Sequence, residues 1–274
     1  MISVKLVSGM VLALSFSVLC PLLGWSDSGA RTTEASDQQA RSETAENRSG
    51  STLLRSAGYS RTRRADVPQA SDVEASVGIQ TSQPGALQGS VGGSVQGRVG
   101  LGAGFSAELN LERDVRTSKM KPGIGAQWQF QGRAGEPLAM SVYAQFRSEG
   151  FTQPEGEIET FILGTYRVGR GELSFNAGAG SDVEGAEKDV EFKLAGGYYR
   201  SSNWLLGAEN ENRWGFGTRT GSLGVLHDHF AGPMSQYRVG RVLMTAAVGL
   251  SARFQQSISV QTGAQGSVGV TYAF

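Results

Sequence analysis

The chain has 274 residues, with 25 basic and 25 acidic side chains, so its formal net charge is zero. This balance gives no indication of nucleic-acid binding. Only five lysines accompany 39 glycines, whereas soluble domains usually cover their surface with charged residues, lysine prominent among them. The single cysteine, Cys20, lies in an N-terminal apolar run, which excludes a disulfide framework.

Residues 1–30 are predicted to be a secretory signal peptide. Lys5 precedes an apolar run over residues 6–23, and Ser28-Gly29-Ala30 offers small residues for cleavage. An uncleaved anchor helix is the alternative, because about 18 apolar residues approach the spanning length. Pro21 interrupts the run, and no basic cluster follows it. A lipid-modified Cys20 is a weaker alternative, because Leu19 stands where such signals resemble one another in having a small residue.

Residues 31–71 are predicted to be a disordered arm. They are rich in Ser, Thr, Ala, Gln, Glu and Arg, and such a composition buries too little apolar surface to offset the entropy of ordering. Four arginines, Arg55, Arg61, Arg63 and Arg64, cluster near the end of the arm. They indicate either contact with anionic lipid or cell-wall polymer, or a solvated linker, which we favour.

Residues 72–274 show the period-two alternation of β-strands. In residues 124–131, for example, Ile, Ala, Trp and Phe alternate with Gly, Gln, Gln and Gln. The pattern predicts an all-β domain of about twelve strands, near 72–81, 92–101, 105–113, 123–131, 138–147, 157–166, 172–181, 188–198, 203–213, 229–237, 241–252 and 265–274. Ten strands is the alternative count, because Pro233 removes a ladder donor from the tenth strand.

The connections between these strands alternate between short and long. The longer ones are predicted at 114–122, 148–156, 214–228 and 253–264. This alternation is typical of antiparallel up-and-down barrels that cross a membrane, with tight turns at one end and loops at the other.

Three features favour a barrel whose apolar face points outward into lipid. The polar strand faces carry Gly, Ser, Gln, Asn and Glu, which suits a wet interior. Aromatic residues gather at the strand ends, where an interfacial girdle belongs: Tyr166, Tyr198, Tyr199, Trp204, Trp214, Tyr237, Tyr272 and Phe274. The chain also begins with a secretion signal. We therefore predict a transmembrane antiparallel up-and-down β-barrel.

The last strand resembles the terminal strand of Gram-negative outer-membrane β-barrel proteins. The matching residues are Val268, Val270, Tyr272 and Phe274, and in that family this pattern is read by the barrel-assembly machinery. The resemblance implies an outer-membrane location, with lipid and lipopolysaccharide as partners and a periplasmic arm. It identifies no subfamily, and the oligomeric state stays open.

The predicted barrel interior is polar and nearly charge-balanced. Its proposed lumen-lining residues are Glu108, Glu112, Gln127, Gln129, Arg147, Glu191, Lys193, Glu209, Glu211, Arg213 and Arg253. Further inward charges are predicted at Glu74, Glu159, Glu172, Arg98 and Arg241, which makes eight acids against six bases. A small porin-like pore for polar solutes is one hypothesis. The other is a non-conducting structural or surface-interaction barrel plugged by internal ion pairs.

Catalytic and metal-binding patterns are sparse. The only histidines, His227 and His229, flank Asp228 in a predicted loop and offer an incomplete metal site. An outer-membrane hydrolase that uses a His–Asp pair of this loop, resembling omptin-type barrel proteases, is a less favoured hypothesis. We expect a protein that is not an enzyme and has no catalytic residue, metal, cofactor or nucleic-acid partner.

Overall fold

The computed structural model describes residues 58–81, 91–113, 119–132, 136–151, 155–185, 187–217, 226–255 and 258–274. The predicted signal peptide and residues 31–57 of the predicted arm lie outside these residues. Among the described residues, no helix is long and apolar enough to cross a membrane.

Twelve β-strands close into a single barrel. Their bounds are β1 Val73–Thr81, β2 Val91–Gly102, β3 Phe105–Arg113, β4 Met120–Gln131, β5 Leu138–Ser148, β6 Gly156–Val168, β7 Gly171–Asp182, β8 Glu187–Ser201, β9 Trp204–Gly217, β10 Leu226–Val239, β11 Val242–Gln255 and β12 Ile258–Ala273. Every strand pairs antiparallel with its neighbours in the chain, and β1 pairs with β12 to close the barrel. The predicted up-and-down topology and the count of twelve are confirmed, and the alternative count of ten is wrong.

The two ends of the barrel differ in their connections. The turn end carries the short connections at 103–104, 132–137, 169–170, 202–203 and 240–241, together with the start of β1 and the C-terminus. The loop end carries the remaining connections. The long loop predicted at 253–264 is wrong, because β11 and β12 extend into it and leave only residues 256–257 between them.

Apolar side chains cover the outside of the barrel. The solvent-accessible fractions of Ile124, Ile162 and Val268 are 57%, 50% and 60%, while their polar neighbours point inward. A water-soluble barrel would place these side chains in its core. The outward apolar face, which the polar strand faces, the aromatic strand ends and the predicted secretion signal favoured, is therefore confirmed, and it is the face that a hydrocarbon environment requires.

Aromatic residues mark both rims of the apolar surface. Trp204 begins β9 at the turn end, and Trp214 lies ten residues further along the same strand. With a rise of about 3.3 Å per residue and a tilt of about 40°, this separation corresponds to an apolar band about 25 Å tall. Tyr199 is an exception to the predicted girdle, because its hydroxyl donates a hydrogen bond to Glu172 inside the barrel.

Pro233 is accommodated within β10 by an interruption of one ladder. Residues of β10 pair continuously with β9, and Pro233 lies opposite Ala208. On the β11 side the register runs from Ala231 directly to Met234, so Gly232 and Pro233 have no ladder partner there. Because the N–H that proline lacks would be needed only toward β11, the pairing with β9 is kept and the strand continues.

Candidate functional site

The proposed lumen-lining residues lie on the inward faces of their strands. The structure brings them into one polar interior: Glu108, Glu112, Gln127, Gln129, Arg147, Glu191, Lys193, Glu209, Glu211, Arg213 and Arg253. Of the further inward charges, Arg241 is wrongly predicted, because it is exposed in the turn between β10 and β11.

A segment of the N-terminal arm fills part of this interior. We call residues 58–72, which directly precede β1, the lumen segment. Arg64 and Ala65 are fully buried, and Tyr59, Thr62 and Asp66 are buried as well. The prediction of a disordered arm is therefore wrong for residues 58–71. The segment could not be buried in this way outside the barrel, because its partners are the inward side chains of strands on all sides.

Three arginines of the lumen segment bind carboxylates of the barrel wall. Arg64 contacts Glu172 at 2.5 Å, and both side chains are fully buried. Arg63 contacts Glu108 through two nitrogens, at 2.5 and 2.9 Å. The third pair joins Arg61 Nη1 to Glu211 at 2.7 Å. The solvated linker that we favoured for these arginines is thus wrong for Arg61, Arg63 and Arg64, while Arg55 lies outside the described residues.

Amide and hydroxyl groups of the wall satisfy the backbone of the lumen segment. Asn176 Nδ2 donates to the Arg63 carbonyl at 2.8 Å, and its Oδ1 accepts from the Arg63 N–H at 2.7 Å. The Ala65 N–H donates to Thr165 Oγ1, and its carbonyl accepts from Gln127 Nε2, both at 3.0 Å. Side chains replace the ladder that a strand would have, because the closed barrel has no free edge to offer.

The inner tip of the segment turns back on itself and packs against a small apolar cluster. The Tyr59 N–H donates to the Thr62 carbonyl at 2.8 Å, which closes the turn. Tyr59 packs with a buried cluster of wall residues, Ala195, Leu205, Met234 and Ala247. Its hydroxyl donates to Glu172 at 2.5 Å. Burial, together with the nearby Glu172 carboxylate, raises the pKa of Tyr59 well above its ordinary value, so the phenol keeps its proton.

The loop-end half of the lumen contains a second network of ion pairs. Arg147 contacts Glu112, Glu157 and Glu159, at 3.1, 2.7 and 3.3 Å. Lys193 lies 3.0 Å from Glu191 and 3.5 Å from Glu211. These wall-to-wall pairs narrow the lumen, and Glu211, which also binds Arg61, links them to the lumen segment.

Three carboxylates in this network are close enough to bind a cation. Oxygens of Glu157, Glu159 and Asp189 lie within 4.8 Å of one another. Arg147 contacts both glutamates, and Arg213 contacts Glu157 and Asp189. Two guanidinium groups therefore already offset two of the three negative charges, which leaves little charge for a cation to neutralise.

The His-Asp-His sequence lies on β10 rather than in a loop. Asp228 points into the lumen, where it accepts from Arg253 Nε at 2.7 Å. His227 and His229 point outward, and His229 Nδ1 lies 2.9 Å from Asn212 Oδ1. The histidines and the aspartate thus occupy opposite faces of the barrel wall, which removes the His–Asp pair that the hydrolase hypothesis required.

The lumen segment is what the sequence prediction missed. One signal was present, because the predicted lumen carried eight acids against six bases while the adjacent arm carried a cluster of arginines. An acid excess inside a closed, narrow barrel calls for cations from elsewhere. Composition alone assigned these arginines to a solvated linker, since residues 31–71 have few apolar side chains.

Comparisons with known proteins bear on the fold. No protein-family profile and no curated protein sequence matches the chain. Among solved structures, the chain is similar to an outer-membrane channel of Pseudomonas putida F1, with a TM-score of 0.56 and 8% identity, over 77% of this chain and 98% of that one. The KdgM porin gives a TM-score of 0.49 at 10% identity, over 74% of this chain and 99% of the porin. The NanC porin gives a TM-score of 0.49 at 7% identity, over 73% of this chain and 98% of the porin. At such identities similarity speaks to the fold alone, and this chain has the fold of a twelve-stranded outer-membrane β-barrel.

Proposed function

We propose that the protein is an outer-membrane channel for small polar solutes that its own lumen segment holds closed. The observation that carries this proposal is the way the segment is bound. Ion pairs and side-chain hydrogen bonds hold it in a polar lumen, and it contributes no strand to the barrel. It can therefore leave without breaking a single strand pair, and water can solvate the groups that it exposes.

The setting of this channel follows from its surface. The apolar exterior suits outer-membrane lipid and lipopolysaccharide as surroundings, and the terminal strand with Phe274 suits recognition by the barrel-assembly machinery. Outer-membrane barrels place their short turns on the periplasmic side. The turn end, where the segment leaves the barrel, would therefore face the periplasm. The similar Pseudomonas putida structure is described as a channel, which agrees with the proposal.

A permanently plugged structural barrel is the second candidate. The fully buried Arg64–Glu172 pair favours it, because taking such a pair apart exposes two charges that the folded state has already desolvated. The two candidates differ in one measurable property, which is whether weakening the lumen segment opens a path for ions.

The test is single-channel conductance in planar bilayers. We expect brief, rare openings of the wild-type protein and steady conductance when Arg61, Arg63 and Arg64 are all replaced by Ala. The variant should prefer cations, because Glu108, Glu172 and Glu211 would then line the open path without the three arginines of the segment. Heat-dependent gel mobility shows that each protein is a closed barrel.

A matched control replaces three arginines at the turn end of the barrel that do not belong to the lumen segment. Arg170, Arg200 and Arg241 are exposed at the turn end, and their replacement by Ala should leave the conductance at the wild-type level. A folded Arg61/Arg63/Arg64 variant that passes no current would contradict the channel and leave the plugged barrel.

A further inference from the structure

The barrel wall binds the lumen segment through side chains that a separate peptide could use equally well. Asn176 binds both polar groups of the Arg63 backbone, its Oδ1 accepting from the N–H at 2.7 Å and its Nδ2 donating to the carbonyl at 2.8 Å. Glu209 Oε1 accepts from the backbone N–H groups of Arg61 and Thr62, at 3.0 and 3.4 Å. These contacts recognise amide groups, which all peptides share, rather than one particular sequence.

One arginine of the segment lies in a seat that the wall builds from a carboxylate and an aromatic ring. Arg63 binds Glu108 through two nitrogens, at 2.5 and 2.9 Å, and its guanidinium carbon lies 3.9 Å from the centre of the Tyr143 ring. The Tyr143 hydroxyl donates to Glu108 at 2.9 Å, so the wall itself fixes the ring beside the carboxylate. A planar guanidinium group can bind both carboxylate oxygens while it stacks on the ring, whereas an ammonium group has no such fork.

The other two arginines also contact wall carboxylates. Arg61 contacts Glu211 at 2.7 Å and lies over the Phe230 ring, with its guanidinium carbon 3.9 Å from the ring centre. Arg64 contacts Glu172 at 2.5 Å. We call these three places the arginine seats, and their wall residues are Glu108 with Tyr143, Glu211 with Phe230, and Glu172.

Each arginine seat is covered by the arginine that fills it. The side chain of Arg63 is 24% exposed and that of Glu211 is 18% exposed, so two of the seats border the unfilled part of the lumen. Because the segment contributes no strand, its departure leaves all the strand pairs of the barrel intact. The same departure uncovers the carboxylates and the rings for another guanidinium group.

We propose that the lumen binds and passes short arginine-containing peptides, and that the lumen segment occupies their place while the channel is closed. Such a peptide would put its guanidinium groups into the arginine seats, and Asn176 and Glu209 would bind its amide groups. Passage of these peptides rests on the channel function proposed above, whereas their binding does not.

The segment and a peptide would compete for the same seats. A ligand whose binding-competent state is only partly populated binds more weakly, in proportion to that population. The wild-type protein should therefore bind a peptide less tightly than a variant whose segment has lost its arginines. A peptide that binds anywhere else on the barrel would show no such difference.

The binding test uses the acetylated and amidated tetrapeptide Arg-Thr-Arg-Arg, which has the sequence of residues 61–64. Its binding to the refolded protein in a zwitterionic detergent is measured by titration calorimetry. We expect saturable binding to the Arg61/Arg63/Arg64→Ala variant and at least tenfold weaker binding to the wild type. The peptide Lys-Thr-Lys-Lys carries the same charge without the planar fork, and it should bind the variant at least tenfold more weakly than the arginine peptide does.

A single wall substitution tests the seat directly. Glu108→Gln, added to the Arg61/Arg63/Arg64→Ala variant, removes the carboxylate of one seat and should weaken binding of the arginine peptide at least tenfold. Glu187→Gln is the matched control, because Glu187 is exposed at the loop end of β8 and belongs to no seat, and it should leave the binding unchanged. Heat-dependent gel mobility verifies that each variant is a closed barrel.

Three results would overturn the proposal. Equal binding of the arginine and lysine peptides would mean attraction to charge alone. Equal binding to the wild type and to the Arg61/Arg63/Arg64→Ala variant would place the peptide outside the seats. Absence of saturable binding to that variant would mean that the wall holds its own segment only.

Conductance separates this proposal from the channel function. In planar bilayers, the arginine peptide should block the steady current of the Arg61/Arg63/Arg64→Ala variant at concentrations at least tenfold lower than the lysine peptide. If the variant conducts but the arginine peptide neither binds nor blocks it, the channel stands and the peptide class is wrong. If the peptide binds as expected while no variant conducts, the binding site stands and the channel function fails.

Discussion

Glu172 is the residue on which the seat of the lumen segment depends most. Its two oxygens accept from Arg64 Nε, Arg167 Nε, the Tyr59 hydroxyl and the Tyr199 hydroxyl, at 2.5, 2.8, 2.5 and 3.1 Å. Two of these donors belong to the segment and two to the wall. One buried carboxylate therefore joins the segment to β6, β7 and β8 at a single point.

Replacing Glu172 by Gln should loosen the lumen segment by about 3 kcal/mol. The change leaves the fully buried Arg64 without its counter-charge, and breaking a buried pair typically costs 3–5 kcal/mol. Hydrogen exchange of the backbone amides of residues 59–67 should accelerate by roughly a hundredfold, because about 1.4 kcal/mol corresponds to a factor of ten. Glu112→Gln is the control, since Glu112 pairs with Arg147 and makes no ion pair with the segment. If hydrogen exchange of these amides is unchanged in Glu172→Gln, Glu172 does not hold the lumen segment in place.

Strands β1 to β12 each combine an outward apolar face with an inward polar face. On β6, Ile158 and Ile162 point outward, while Glu159 and Thr165 point into the lumen. Because side chains alternate strictly, the same short segment satisfies two opposite solvents. A charged side chain should therefore destabilise a strand on its outward face and be tolerated on its inward face.

A charge on the outward face should destabilise the barrel. Ile162→Arg, near the middle of β6, is expected to lower the free energy of unfolding in lipid vesicles by about 2–4 kcal/mol. Ser94→Arg places the same side chain in the lumen, where the serine is exposed to water, and should cost less than about 1 kcal/mol. Denaturant titration followed by tryptophan fluorescence measures both changes. Equal losses would show that the two faces are not in different solvents.

Strand β2 and the lumen segment meet at Gly100. The Ser71 N–H donates to the Gly100 carbonyl at 2.9 Å, and a Cβ added to Gly100 would lie 1.9 Å from the Gln69 carbonyl oxygen. Only glycine lets the segment pass this close to the strand.

Gly100→Ala should displace the segment where it leaves the barrel. We expect trypsin to cleave at Arg63 and Arg64 at least ten times faster than in the wild type, because the methyl group collides with backbone rather than with a flexible side chain. Gly97→Ala on the same strand meets no atom within 4 Å and should leave the cleavage rate unchanged. A Gly100→Ala protein that is as resistant as the wild type would show that the close approach is not needed for seating.

The described part of the molecule consists of a closed wall and a lumen segment that contributes no strand to it. The wall is complete without the segment, since each of the twelve strands pairs with a neighbouring strand on both sides. The contacts of the segment reach from β3 to β12, as the Arg63–Glu108 pair and the hydrogen bond between the Ser60 and Ser267 hydroxyls show. The opening that we propose is thus a displacement of the segment inside a closed wall rather than a change of the wall itself.

A disulfide between the segment and the wall should make the conductance depend on redox state. The Ser60 and Ser267 hydroxyls are hydrogen-bonded, so cysteines at both positions can approach closely enough to bond. When these two changes are added to the Arg61/Arg63/Arg64→Ala variant, oxidation should abolish its steady current and reduction should restore it. The single Ser60→Cys change, which cannot form the bridge, should conduct under both conditions. Steady current through the oxidised, bridged protein would mean that ions pass beside a seated segment.

The amino-acid sequence by itself determined the barrel. Period-two alternation, the positions of the turns and the aromatic rims are local properties, so the twelve strands and the direction of most side chains could be predicted from short stretches of chain. Arg241 and Tyr199 are the exceptions. The extensions of β11 and β12 into residues 253–264 were missed, because polar residues there suit a loop equally well. Only strand pairing decided that they continue.

The tertiary structure alone decided where the arm goes. Arg63 meets Glu108 across 45 positions of the chain, Arg64 meets Glu172 across 108, and Arg61 meets Glu211 across 150. No local pattern encodes such pairs, and by composition the arm resembles a solvated linker. The segment is ordered because the closed barrel places an excess of carboxylates in a narrow interior. Burial makes a missing counter-charge costly there, so arginines of the segment are bound.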